Sequence, residues 1–455
     1  MRRLLAAALL ALAAGGPADG AAAQEVTLSL GEARGVAVQA LAQGDPVLAA
    51  TLARGLLEAD PADSQALTIL SVASGLTGDT GGALDYGRRA WAAADTPIER
   101  FDAASATARA LAARGAYTRA QVWLRRSAQA APSAEARAEA EANFRWTRAA
   151  NPLSLQFSLS VAPSSNVNAG SSSRFVTLFG LPFELGADQR ALSGTSAVAE
   201  ASLGYRLPQA DPRIGTELTV SAVGRGVALS SGARRDAPRA SGSDYGYAAV
   251  EVGLRHRIVP GDAPVAWTLE TVAGRNWSGG DLLSDFQRVE GGVETPLGDD
   301  GLLRLALTVE RQDRRDDPRR SADVVAFQGD VVRRLASGDR LSARATVRRT
   351  WSDGFDIGNV SVSARLGWER GRAVTGVGLG AGITGGWQRF DLSPLAPGGD
   401  RRDRTLGADV TLTLERLDYM GFAPTVTLSA SRTRSTLAIY DREDLGFAVG
   451  FRSSF

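Results

Sequence analysis

The sequence predicts two folds in one chain: an α-helical repeat domain over residues 24–150, followed by a 14-stranded antiparallel β-barrel over residues 151–455. Three observations predict this. Residues 31–149 are Ala-rich, with Leu and aromatic residues at three- and four-residue spacing, the period of an α-helix. Beyond Asn151-Pro152 apolar and polar residues alternate with period two, which puts them on opposite faces of strands. The connections between those strands alternate between short and long, the pattern of a barrel that crosses a membrane by hairpins.

Composition narrows the function classes. The balance of 51 basic and 50 acidic residues argues against a nucleic-acid binder. Every basic residue is Arg, so neither a Schiff-base nor a phosphate-loop lysine exists. The absence of Cys excludes disulfides, thiolate zinc sites, a cysteine nucleophile and a lipidated N-terminal Cys. A single His, His256, excludes a multi-histidine metal site. No cofactor and no metal are expected.

Residues 1–23 read as a secretory signal peptide: Arg2 and Arg3, an apolar core over 4–14, and the small-residue site Ala21-Ala22-Ala23. The apolar core falls short of the about 20 residues that a spanning helix needs. Residues 24–35 lead into the helices. Gly44, Gly78 and Gly115 recur at intervals of 34 and 37 residues, each followed five residues later by Ala49, Ala83 or Ala120, with Pro61, Pro97 and Pro132 near the close of each unit. Glycine in the turn, small Ala where paired helices touch, and Pro at the stop form the tetratricopeptide pattern. Tyr86, Trp91, Tyr117 and Trp123 are placed to fill gaps between helices. The spacing predicts three helix pairs and a final helix over 134–149, a short solenoid of the kind whose concave face binds segments of other proteins.

The first strand is 153–162, with Leu153, Leu155, Phe157, Leu159 and Val161 on one face and Ser154, Gln156, Ser158 and Ser160 on the other. Alternation then predicts strands over 197–207, 214–227, 247–258, 265–276, 286–297 (the weakest), 303–311, 322–335, 341–349, 360–368, 373–383, 405–415, 425–433 and 445–455. Long loops are expected at 163–193, 230–243, 278–285, 314–321, 352–358, 386–403 and 435–444, and short turns between them.

A soluble β-sandwich is the competing reading. Against it, the strands reach the nine or more residues that a tilted transmembrane strand requires. Their polar faces carry mid-strand charges, which suit a wet lumen: Glu200, Glu251, Glu270, Arg304, Arg344, Arg348, Arg365 and Asp409. Tyr205, Trp277, Trp351, Trp368 and Trp387 sit near strand ends, as interfacial girdles do. The fold class is therefore a tetratricopeptide-like α-solenoid followed by a 14-stranded antiparallel outer-membrane β-barrel. Both ends of such a barrel face the periplasm, and so does the helical domain.

Signal peptide, repeats and barrel together resemble the surface lipoprotein assembly modulator family, outer-membrane proteins of a type XI secretion route. The local text carries the resemblance in Ser160-Val161-Ala162-Pro163-Ser164-Ser165-Asn166-Val167-Asn168, Gly421-Phe422-Ala423-Pro424, Tyr440-Asp441 and Leu445-Gly446-Phe447. The resemblance implies an outer-membrane translocon moving exported proteins, often lipoproteins, to the cell surface, with no catalysis and no nucleotide. The client and outer-membrane lipid are its implied partners, and the barrel assembly machinery is a partner during biogenesis, reading a C-terminal signal that includes Phe451 and Phe455. The alternatives are an exopolysaccharide exporter and a periplasmic scaffold anchored by a barrel.

Pro163, Ser164, Ser165 and Asn166 read either as a client-contacting element or as a strand-ending turn. The lumen charges read either as guides for a polypeptide or as ion pairs that stiffen the wall. The first and last strands must pair to close the barrel, and Gly446 and Gly450 weaken packing at that seam. Gly380, Gly382 and Gly385 match G-x-G-x-x-G without the strand–turn–helix that gives it meaning.

Overall fold

A computed structural model of the chain describes residues 28–178, 181–261, 264–395 and 401–453. The expected signal peptide and Phe455 lie outside them. The chain divides into two compact units, the first closing at Asn151 and the second opening at Pro152.

The first unit is seven helices: α1 (Leu30–Ala42), α2 (Pro46–Ala59), α3 (Ser64–Leu76), α4 (Thr80–Ala93), α5 (Pro97–Ala113), α6 (Tyr117–Ala130) and α7 (Ala134–Ala150). They form three antiparallel pairs and a closing helix, the tetratricopeptide-like solenoid that the repeat spacing predicts. Ser29 and Thr96 start α1 and α5 with capping boxes completed by Glu32 and Glu99, and Asp45, Asp63, Asp79 and Ser133 cap four others. The capping bonds, led by the backbone N–H of Ser29 and of Thr96, hold both glutamates below the usual carboxylate range. Each pair turns at Gly44, Gly78 or Gly115, at φ of 80°, 89° and 71°, where an L side chain is strained. Ala49, Ala83 and Ala120 are each no more than 1% exposed. Trp91 and Trp123 meet edge to face at 5.4 Å, with Arg126 over both rings.

The second unit is a closed antiparallel barrel of fourteen strands. In chain order they are β1 (Leu153–Ser164), β4 (Gly194–Leu207), β5 (Ile214–Leu229), β6 (Tyr247–Ile258), β7 (Ala266–Ser278), β8 (Asp281–Pro296) and β9 (Gly301–Arg314). The series continues with β10 (Ala322–Arg334), β11 (Arg340–Trp351), β12 (Asn359–Glu369), β13 (Val377–Phe390), β14 (Arg402–Leu414), β15 (Phe422–Ser435) and β16 (Arg442–Ser453). A two-stranded hairpin, β2 (Phe175–Leu178) with β3 (Leu181–Glu184), lies in the first long loop, and a short helix α8 (Ser231–Asp236) in the second. Every neighbour in the barrel is its neighbour in sequence once that hairpin is set aside, and β1 returns to β16.

The register fixes what faces in. Phe157, Ala201, Ala222 and Val250 lie along one row of partners, and Ser158 pairs with Glu200 on the row beside it. Phe157, Leu155, Leu406 and Leu445 are 60–73% exposed on the outer wall, an apolar surface no soluble sheet displays around its whole girth. Strands of 11 to 16 residues are long enough to span a bilayer. Trp368 faces outward and its indole N–H donates to Asp339 in the adjacent turn (3.1 Å), apolar body on the wall and polar edge at the boundary.

Several expected boundaries differ. The loop expected at 278–285 is the two-residue turn Gly279-Gly280, at φ of 62° and 94°, joining β7 directly to β8. The weak strand at 286–297 is one of the longest, Asp281–Pro296; its inward row Phe286, Arg288 and Glu290 is charged, which blurred the alternation. The loop expected from 386 begins only after Phe390, because glycines at 378, 380, 382 and 386 thin the inward face of β13 without breaking its pairing. Pro163 and Ser164 belong to β1 itself.

Candidate functional site: the lumen wall and the closing seam

Two chemically different walls face each other across the barrel interior. From β6 to β12 the inward face is ionic. The Arg288 guanidinium reaches Glu251 at 3.0 Å and Glu310 at 3.3 Å. Arg304 pairs with Glu290 at 2.7 Å, Arg255 with Glu270 at 2.9 Å, and Arg344 with Asp330. Arg365 forks onto Asp409 with contacts of 2.7 and 2.9 Å. Gly382 makes room for that fork, since a Cβ there would come within 2.3 Å of Arg365 Nη2. All eight mid-strand charges named from the sequence take inward register positions. Arg348 forms no ion pair among the described residues, and Glu200 accepts from Ser158 Oγ at 3.1 Å. The sequence reading missed Arg255, Arg288, Glu290, Glu310 and Asp330; Arg255–Glu270, Arg288–Glu310 and Asp330–Arg344 lie directly opposite one another, so a search for opposite charges facing each other on adjoining predicted strands finds four of the five.

From β14 to β1 the mid-strand inward face is small and, Asp409 apart, uncharged: Thr411 and Thr413, then Thr425, Thr427, Ser429 and Ser431, then Gly446, Ala448 and Gly450, then Ser158, Ser160 and Ala162. Thr411 and Thr427 share a hydroxyl hydrogen bond of 2.9 Å across β14 and β15. This wall contains the seam.

The seam is short. Among the described residues β1 bridges β16 at Ser160–Gly450, Val161–Val449 and Ser164–Gly446, whereas β1 pairs with β4 at every residue from Leu153 to Ser164. Among the described residues β1 has no bridge to β16 from Phe157 to Leu159, the positions that the register sets opposite Ser453, Arg452 and Phe451. At the long-loop end the seam is clasped. Ser164 Oγ donates to Asp444 Oδ1 at 2.5 Å, the Ser165 N–H donates to the Leu445 carbonyl at 3.2 Å, and the Leu445 N–H donates to Ser165 Oγ at 2.9 Å. Asn166, 8% exposed, donates to the Glu443 carbonyl at 3.3 Å and to the Gly170 carbonyl at 2.9 Å. Asn168 holds Arg190 O and Leu192 N–H. The Ser164–Asn166 stretch is therefore spent on β16 and on its own loop.

Above the same wall Arg401, with a side chain 6% exposed, is held between the Phe390 and Tyr440 rings at 4.0 and 3.3 Å. It pairs with Asp403 at 2.7 Å and with Asp356 at 3.1 Å, joining three long loops. Burial first, and then the Asp356 carboxylate, raise the Tyr440 phenol. At the opposite end Arg213 in the β4–β5 turn brings Asp211 down to about 2. His256 sits on the outward register of β6, its Nδ1 2.9 Å from Thr216 Oγ1, away from the inward carboxylates. Phe451 faces outward and is 63% exposed.

The lumen charges give a first prediction. Arg288→Gln leaves Glu251 and Glu310 without their shared cation, so the lumen gains net negative charge. A unit charge about 4 Å away is worth about 1 kcal/mol in water, so cation-over-anion permeability is expected to rise roughly fivefold. Reversal potentials in planar bilayers measure this, and an unchanged ratio places the triad off the ion path.

An apolar outer wall, an ionic inner wall and a sheet closed on itself define the class: a transmembrane β-barrel of the outer-membrane type. No protein-family model and no curated protein matches the chain. Among solved structures, an outer membrane channel from Pseudomonas putida F1 aligns at 12% identity over 65% of this chain and 93% of that one, with a TM-score of 0.31. A bacterial polysaccharide outer membrane secretin aligns at 9% identity over 66% and 98%, with a TM-score of 0.32. An O-GlcNAc transferase mutant from Thermobaculum terrenum aligns at 21% identity over 26% of this chain and 22% of that one, with a TM-score of 0.23.

Proposed function

We propose that this chain is an outer-membrane translocon that passes an exported protein from periplasm to cell surface, with its helical repeats engaging the client on the periplasmic side. The seam is the observation that supports this reading most. In hydrocarbon an unbridged strand edge leaves backbone N–H and C=O groups without partners, at a cost of several kcal/mol each. An extended polypeptide satisfies them by adding as a strand, with apolar residues beside Phe157 and Leu159 and a polar one beside Ser158. A polysaccharide cannot supply that ladder. The clasp at Ser164–Asn166 keeps the long-loop end shut, so the route opens from the periplasmic half. The resemblance to the surface lipoprotein assembly modulator family leads to the same reading.

Engineered cysteines test it cleanly, because the chain has none of its own. The register at Ser160–Gly450 places Phe451 opposite Leu159. A Leu159→Cys/Phe451→Cys lock is expected to stop surface display of the client under oxidising conditions, with recovery on reduction. A Val161→Cys/Val449→Cys lock, at a junction already bridged, is expected to leave export unchanged. Export that persists through the lower lock rules out the seam route. A gene deletion that leaves every exported protein at the surface rules out protein translocation, and loss of surface polymer alone identifies a polysaccharide exporter.

A further inference from the structure

The outward face of β13–β15 carries a group of arginines at the long-loop end. Arg389 pairs directly opposite Arg402, and one row below Arg404 lies opposite Arg434, with Trp387 as its other neighbour. The row of Arg389 continues through Val360 to Arg349. All share the outward register of Ile383, Leu406 and Leu428, the apolar wall immediately below. Like charges directly opposite on neighbouring strands repel, and two such pairs are stacked here.

Neighbouring groups answer only part of this charge, and Arg402 has a partner of its own. Arg349 pairs with Asp391 at 2.8 Å, Arg434 with Asp441 at 2.7 Å, and Arg432 with Glu443 at 3.1 Å. Arg389 and Arg404, both exposed, form no ion pair among the described residues. Elsewhere on the outer wall the arginines at this height are matched: Arg275 and Arg315 share Asp285, and Arg311 holds Asp313 and Asp323. Among the described residues the unmatched charge, that of Arg389 and Arg404, is thus confined to one sector, directly above the apolar wall.

We propose that Arg389, Arg404 and their neighbours Arg402 and Arg434 form a binding site for the phosphate groups of an outer-leaflet lipid, whose acyl chains lie on Leu406, Ile383 and Leu428. A dianionic phosphate between the two rows turns each repulsive pair into two attractive ones, and guanidinium forks match phosphate oxygens bidentately. The apolar wall below supplies the second half of the site, which a free phosphate cannot use. The inference rests on reading that wall as lipid-facing.

The test uses the full chain in detergent, with diphosphoryl lipid A as probe and native mass spectrometry as readout. Lipid A is expected to remain bound to the wild type, and Arg389→Gln/Arg404→Gln is expected to weaken it by roughly tenfold or more per arginine, since each charge-assisted bond is worth at least the equivalent of a tenfold change. Arg275→Gln, on the matched sector, is expected to bind as the wild type does. Dephosphorylated lipid A is expected to bind the wild type only as weakly as phosphorylated lipid A binds the double variant. Equal binding of phosphorylated and dephosphorylated lipid, equal binding by the double variant, or displacement of lipid A by millimolar inorganic phosphate each overturns the proposal. A chain that fails to enter liposomes removes the membrane reading instead, so the two failures are distinguishable.

Discussion

Replacing Arg401 with Ala is expected to destabilise the loop end of the barrel by roughly 3–5 kcal/mol, the cost of removing one partner from a buried ion pair. Asp403 stays buried beside it and Asp356 loses its cation. Two further losses add to this. The Phe390 and Tyr440 rings lose the guanidinium between them, a contact worth about 2 kcal/mol or more where water is excluded. Tyr440 keeps its hydroxyl bond to Asp356 (2.8 Å), but that carboxylate then has no cation to fix it. Because Arg401 joins the loops after β11, β13 and β15, its removal is expected to release all three together.

The measurement is limited proteolysis of the folded barrel, with heat-modifiability on gels to show that the strands stay closed. Chymotrypsin is expected to cut after Phe355 and after Tyr440 in Arg401→Ala but not in the wild type. Arg401→Lys keeps the charge but loses the planar fork and the stacking, and is expected to fall between them. Cleavage confined to the loop that carries Arg401 itself means the three loops are independent, and the latch is then no latch.

Most of the architecture was legible because two periods, 3.6 and 2.0, are written into separate halves of the sequence. Gly44, Gly78 and Gly115 marked turns because only a left-handed residue closes them, and Ala49, Ala83 and Ala120 marked helix contacts because nothing larger fits. The inward charges could be named singly because a charge in mid-strand must face water. Apart from Arg365 and Asp409, which pair with each other, their partners could not, because pairing depends on register, and register is set by turns such as Gly279-Gly280 that the sequence disguised as part of a longer loop. The role of Ser164–Asn166 was hidden for a related reason. Its partners, Glu443, Asp444 and Leu445, lie about 280 residues away and meet it only on closure. Arg401 was invisible because no periodicity governs a loop.

The repeat domain turns on a closer contact still. Gly87, in the middle of α4, is buried, and a Cβ built there would lie 2.6 Å from Thr107 Oγ1, 3.1 Å from Ser71 Oγ and 3.2 Å from Thr107 Cα. Neither hydroxyl can easily swing aside: Thr107 Oγ1 donates to the Ala103 carbonyl at 2.7 Å, and Ser71 Oγ donates to the Ala83 carbonyl at 2.7 Å. Two effects of Gly87→Ala therefore oppose each other. Alanine gains about 1 kcal/mol of helix propensity, while overpacking a tight contact costs about 1–3 kcal/mol. The backbone atom in the contact favours the cost, and Gly87→Val, whose branch meets the same backbone, is expected to lose more than Gly87→Ala. Thr107→Ala removes the closest clashing atom, so Gly87→Ala/Thr107→Ala is expected to recover at least about 1 kcal/mol relative to Gly87→Ala, a coupling of the size seen between touching residues. Urea unfolding followed by far-ultraviolet helical signal in detergent, where the barrel stays folded, reads each step. If Gly87→Ala is stabilising and the double variant merely adds the two single effects, α4 and α5 are held apart by something other than this contact, and the small-residue reading of the repeat is wrong.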